Sequence, residues 1–228
     1  MKWKHRLLAL ALSGTVACGA AMGAAAAESD GYGISMDDST LRFTNLTSGA
    51  ESAYTLEGER LRLYGQGGDV IAAFTDGEGR TRRISLGKQK RLELDGALSE
   101  VVLDESLPTG VYVGISASIE NLTVNAASGR VFIDGNVLRA MVNGKANVRI
   151  GPDASILNVL ALSRDARIQI DSGARVASAY AVSGTSIVGV SPSFVKKAAT
   201  PAGVSPSTGK SHRRPTLGSS VTLGSTQQ

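Results

Sequence analysis

The stretch that decides the fold is Val131-Phe132-Ile133-Asp134-Gly135-Asn136-Val137-Leu138-Arg139-Ala140-Met141-Val142-Asn143. Val131 and Ile133 alternate with Phe132 at period two, the pattern of a short strand with one buried side. Asp134-Gly135 is a turn, because these residues tolerate strained dihedrals or bond their own backbone. Val137, Ala140 and Val142 then follow as apolar-x-x-apolar-x-apolar, a second and longer strand.

Read outward from there, the unit recurs five times within residues 91–190. The short strand returns as Leu92-Glu93-Leu94, Val111-Tyr112-Val113, Val148-Arg149-Ile150 and Ile168-Gln169-Ile170, with a sixth start at Ile187. The longer strand returns as Leu98/Val101/Leu103, Ile119/Leu122/Val124, Leu157/Leu160/Leu162 and Ala177/Tyr180/Val182. Asp95, Gly114, Asp134, Gly151 and Asp171 close the short strands. Asp104, Asn125, Asn143, Ser163 and Ser183 close the long ones, and small polar side chains stacked in one row would form a ladder. A period near 20 residues with apolar positions in fixed phase means stacked equivalent units, each too small to bury its own face. Leucine-rich repeats need a helical return, whereas the returns here are Asp/Gly/Ser/Ala-rich and lead into another strand. A strict six-residue repeat is also missing. The expected fold is therefore all-β: a short, single-stranded, right-handed parallel β-helix, with an irregular β section before it and a disordered tail after it.

The Val-x-Ile … Ile-x-x-Leu-x-Val rungs resemble the short β-helical modules of bacterial exported surface proteins and, more distantly, the filament-forming bactofilins. The resemblance covers about residues 84–190 and lies in the periodicity. It implies a scaffold or adhesive role. Bactofilins lack an export signal of the kind this chain carries, which counts against a bactofilin-like filament and leaves it as an alternative.

That signal occupies residues 1–27. Lys2, Lys4, His5 and Arg6 precede the apolar run Leu7–Val16, and Ala25-Ala26-Ala27 precedes Glu28, which places cleavage after Ala27. The apolar run is too short for a stable span, and no later segment is apolar enough to make one. Thr15-Val16-Ala17-Cys18 resembles a lipobox but carries Thr where Leu is usual, so plain secretion is the main reading and lipidation of Cys18 the alternative. Cys18 is the only cysteine, and the two histidines, His5 and His212, lie outside the repeat. Aromatics make up only 4% of the chain, so the core must be built from aliphatic side chains, which suits thin layers.

Residues 28–90 read as a β cap. Short alternating segments such as Leu41-Arg42-Phe43, Leu61-Arg62-Leu63 and Val70–Phe74 are separated by Gly, Asp and Ser. Gly65-Gln66-Gly67-Gly68-Asp69 leads into a strand and not a helix, so it is a turn and no phosphate loop. Arg80, Arg82, Arg83, Lys88, Lys90 and Arg91 flank Ile84-Ser85-Leu86, a charged edge strand that discourages strand-to-strand aggregation.

Catalytic readings find little support. Without histidine or cysteine in the body there is no Ser-His-Asp or Cys-His chemistry. A lyase would draw on Asp134, Asp171, Arg149 and Arg167, but the two aspartates fall at turns with a rung between them. Tyr112, Phe132 and Tyr180 sit mid-strand as candidate sugar platforms or simple rung-to-rung packing. No cofactor or metal site is expected, and nucleic acid is not an expected partner.

Charge is segregated: residues 28–190 hold 16 Lys+Arg and all 20 Asp+Glu, and residues 191–228 hold five basic residues and no acid. Pro192, Pro201, Pro206 and Pro215 among Ser, Thr, Gly and Ala mark 191–228 as disordered. Its Lys196, Lys197, Lys210, Arg213 and Arg214 are the candidate polyanion-binding residues. The reading is an exported, non-catalytic surface scaffold or adhesive protein, tethered by this tail to anionic cell-wall polymer or glycan. The alternatives are a glycan-binding or polysaccharide-active protein and self-association through end rungs.

Overall fold

The computed structural model describes residues 31–127, 129–191 and 194–198. The leader, the cleavage position at Ala27, Cys18, and the tail residues Lys210, Arg213 and Arg214 lie outside the described residues. Strands carry the chain, and no α-helix occurs among the described residues.

The repeat is a stack of rungs with two strands each. The strands that form one side, the A face, are the first half of β6 (Arg91–Leu103), then β7 (Tyr112–Ile115), β9 (Arg130–Ile133), β11 (Asn147–Ile150), β13 (Arg167–Ile170) and β15 (Ser186–Val188). The B face is the second half of β6, then β8 (Ser118–Val124), β10 (Asn136–Val142), β12 (Ser155–Ala161), β14 (Arg175–Ala181) and β16 (Val195–Lys197). Every pairing between successive rungs is parallel and in register. The β-solenoid expected from the period is present, with five full rungs.

Inside, the vertical columns are aliphatic. Ile115, Ile133, Ile150 and Ile170 continue Leu94, and Val113, Val131, Val148 and Ile168 continue Leu92, all buried. On the B face the innermost column tapers from Leu103 through Val124 and Val142 to Ala161 and Ala181. Each buried Val, Leu or Ile contributes about 1.5–3 kcal/mol, which is how thin layers become one core.

Three rungs are framed differently from the sequence reading. In the second rung Val113 and Ile115, not Val111 and Val113, stack on Leu92 and Leu94. Val111 is buried at the preceding corner, and Ser116 rather than Gly114 follows the strand. In the fourth and fifth rungs the inward sets are Ile156/Val159/Ala161 and Val176/Ala179/Ala181, one residue earlier than expected. Leu157 therefore points out and is 49% exposed. Both frames are apolar in sequence, and the vertical neighbours Val137, Ala140 and Val142 select one. The same shift shortens the polar ladder: Asn143 Nδ2 donates to Asn125 Oδ1 at 2.9 Å, but the next positions are Leu162 and Val182, not Ser163 and Ser183.

The section before residue 90 completes the stack. β1 (Gly31–Asp37) pairs parallel with the first half of β6, and antiparallel with β2 (Thr40–Asn45). β3 (Glu51–Gln66) pairs with β2, turns at Gly58 and Glu59, and lays Arg60–Leu63 parallel to Glu100–Leu103. β1 and the second half of β3 are thus one more rung, and a single core crosses residue 90. Phe43, Tyr54 and Phe74 close that end, with ring centroids 5.3–6.1 Å apart. At the other end, Phe194 and Val195 pack against the core. β16 also corrects the tail boundary, because residues 195–197 are a strand on β14 and not part of a disordered segment.

β4 (Asp69–Asp76) and β5 (Thr81–Gly87) extend the B face antiparallel, and β5 ends the sheet as the charged edge. The Gly67-Gly68 turn has both residues at positive φ, as a tight hairpin requires. The turn between β4 and β5 is held by Asp76. Its Oδ1 accepts the N–H groups of Glu78 (3.1 Å) and Arg80 (2.9 Å), and its Oδ2 accepts Arg82 Nε (2.6 Å). The Arg82 guanidinium, then the Arg80 amide, lower its pKa from 3.8 to about 2. A carboxylate depressed by folding stabilises the native state above its unfolded pKa, and that contribution is lost as pH falls through the folded value. The urea midpoint of wild type should therefore exceed that of Asp76→Asn near neutrality. The gap should close between the two pKa values; a gap that stays constant down to the lower one would refute the assignment.

Candidate functional site

The outward A face is where charge, rings and concavity coincide. Side chains on a strand alternate sides, so each rung presents two outward positions here. The first column reads Arg91, Tyr112, Arg130, Asn147, Arg167 and Ser186. The second reads Glu93, Gly114, Phe132, Arg149, Gln169 and Val188. From Tyr112 to Ser186 in the first column and from Phe132 to Val188 in the second, they line an open concavity of about 650 Å³.

Its aromatic ring occupies space left by a missing side chain. A Cβ on Gly151 would come within 2.6 Å of Phe132 Cζ, so glycine in the fourth rung lets the Phe132 ring lean over it. Arg149 stands above the same ring, 5.7 Å from its centroid, and Arg91 stands 5.7 Å from the Tyr112 centroid. Burial, with Glu93 beside it, pushes the Tyr112 phenol up, so it stays a neutral hydroxyl able to donate and accept.

The arginines differ in what they already hold. Arg91 Nε donates to Glu93 Oε1 at 2.5 Å, and Arg149 Nε to Asp171 Oδ2 at 2.7 Å. Gln169 Nε2 donates to the other Asp171 oxygen at 3.0 Å. Arg130 and Arg167 are exposed and pair with no described acid. The turn acids Asp95, Asp134 and Asp171 follow the strands along one margin of the face, and the arginine column occupies the other. The face therefore offers two uncompensated guanidiniums beside a half-buried aromatic ring, an arrangement suited to carboxylate and sugar.

Of the residues the sequence singled out, Tyr112, Phe132, Arg149, Asp171 and Arg167 come together here. Asp134 borders the site but is occupied: its Oδ1 accepts the Asp153 N–H at 3.2 Å. Asp134 and Asp171 are separated by the fourth rung, as expected, and no group of three His, Cys, Asp or Glu able to hold a metal occurs among the described residues. Tyr180 lies elsewhere, on the B face, with Lys196 Nζ 5.8 Å from its ring. Lys197 is the neighbouring residue of β16. Arg130 was not anticipated. Its signal was present, since it stands immediately before the short strand, as Arg91 and Arg167 do, and the corrected second rung adds Tyr112 to that row.

A second arginine–tyrosine cluster, on the B face near the cap, is already neutralised. Arg62 lies 5.6 Å from the Tyr64 ring but is ion-paired with Asp104, and Arg60 pairs with Glu100 at 3.3 Å. Within the basic stretch around β5, Arg80 and Arg82 are spent on Asp76 and Glu78. Among the described residues no helix is long and apolar enough to cross a membrane. No family model, curated protein or solved structure matches the chain.

Proposed function

We propose that this is an exported, non-catalytic scaffold of the cell envelope that holds an anionic glycan on the A face of its solenoid. The observation that carries the reading is Arg130 and Arg167, exposed and without an acidic partner among the described residues, beside the Phe132 ring. Guanidinium forks recognise carboxylates and aromatic faces accept sugar rings, so the two features ask for one ligand class. Support for export is the leader, with its basic start, apolar run and Ala25-Ala26-Ala27. Support for a binding role without turnover is the lack of any histidine or cysteine between residues 31 and 198 to act as base or nucleophile. Lys196 and Lys197, and the further basic residues of the tail, add electrostatic attraction without shape.

The test is co-sedimentation of the mature chain with insoluble acidic and neutral polysaccharides over a range of salt. Binding should be confined to the acidic polymer and weaken with salt. The Arg130→Ala/Arg167→Ala pair should reduce it about tenfold or more, since charge-assisted hydrogen bonds are worth about 1.5–3 kcal/mol each. Binding lost instead in Lys210→Ala/Arg213→Ala/Arg214→Ala, with the face pair silent, would move the contact to the tail. Release of shortened sugar chains would overturn the non-catalytic reading.

A further inference from the structure

The first outward column of the A face alternates. Arginine stands on the first, third and fifth rungs as Arg91, Arg130 and Arg167, and a neutral hydrogen-bonding residue stands on the second, fourth and sixth as Tyr112, Asn147 and Ser186. Neighbouring strands are about 4.8 Å apart, so successive arginines recur about every 10 Å along the stack. Resting on the reading of this face as a glycan site, we propose that its ligand is a linear acidic glycan lying along the solenoid axis, across the strands, with a carboxylate on every second sugar.

Each sugar of an extended chain spans roughly one rung, so a chain laid along the axis puts one residue beside each member of the column. The charged sugars then meet Arg130 and Arg167, and the sugar between them meets Asn147, whose amide both donates to and accepts from hydroxyls. Phe132, in the neighbouring outward column, leans toward Gly151 at the far end of the fourth-rung strand and adds apolar surface along the side of the track. The fourth rung does carry a cation, Arg149, but Asp171 occupies it through a 2.7 Å hydrogen bond. A chain with a charge on every sugar would thus leave every second carboxylate facing the Asn147 amide, on a rung whose only guanidinium is already held by Asp171. Alternation also keeps the guanidiniums from stacking at one strand spacing, which by itself would create no preference among polymers of equal charge.

The experiment compares two soluble probes at matched carboxylate number, hyaluronan oligosaccharides, charged on alternate sugars, and oligogalacturonates, charged on every sugar. Affinities are measured by titration calorimetry with the full mature chain. Wild type should prefer the hyaluronan oligosaccharide by about tenfold, the worth of one well-placed charged hydrogen bond. Arg130→Gln/Arg167→Gln should remove that preference. Asn147→Arg, which fills the gap in the exposed column, should narrow or reverse it. Equal affinity for both probes that still disappears in Arg130→Gln/Arg167→Gln would overturn the spacing and leave the glycan face standing. Binding to neither probe would overturn both. The substituted side chains are all exposed, and a thermal melt of each variant confirms that it is folded.

Discussion

Ile156→Asn is expected to lower the melting temperature by about 8–16 °C, and its neighbour Leu157→Asn by less than about 2 °C. The two residues are adjacent, similar in size and both apolar, so composition and propensity do not separate them. What separates them is direction. Ile156 is 1% exposed and stacks between Val137 and Val176, whereas Leu157 faces out at 49%. Truncating a buried Ile costs about 2–5 kcal/mol, and asparagine adds an amide with no partner in an aliphatic column. A total near 4 kcal/mol is a large share of the stability of a domain this size. The fourth rung also lies inside the stack, so both neighbouring layers lose a contact surface. Far-UV circular dichroism melts of the two variants decide the matter. A larger loss in Leu157→Asn would mean that the Leu157/Leu160/Leu162 frame faces the core.

Gly135→Val should be nearly as damaging, at about 3 kcal/mol, read as a drop in the urea midpoint. Gly135 has no positive φ, so the argument is about space. A Cβ there would lie 2.5 Å from the Ser116 carbonyl oxygen and closer still to that of Ala117. Both are backbone atoms of the rung below, and the Gly135 N–H donates to Ile115 O at 3.0 Å within the same corner. Backbone cannot swing aside as a side-chain tip can, so the corner must open and the ladder above it shift. Gly114→Ala is the control. The atoms nearest its Cβ would be those of the Glu93 carboxylate, the far end of a flexible side chain, and the cost should stay below about 1 kcal/mol. Equal costs at the two positions would refute the close approach of the second and third rungs.

The candidate site was half legible in advance. Tyr112 and Phe132 are odd members of a repeat otherwise filled with aliphatics, and Arg149 and Arg167 sit mid-strand or at its start, so the chain advertised them. Their partnership was not legible. Whether Arg149 is free depends on Asp171, one rung away and 22 residues distant in sequence. Whether Phe132 has room to lean over the next rung depends on Gly151, which a linear reading assigns to a turn.

Periodicity alone determined that this chain is a β stack: apolar residues in phase every 20 or so positions leave each unit unable to bury itself, and burial is then available only from copies of the unit. Composition likewise determined an aliphatic core, since few rings were available. Tertiary structure decided three further things: the frame of the second, fourth and fifth rungs, the completion of the stack by β1 and β3, and the alternating arginine column. For the frames the physical reason is matching between layers. A strand with apolar residues on both sides has two locally equivalent settings, and only the matching of its side chains to the layers above and below makes one of them lower in free energy.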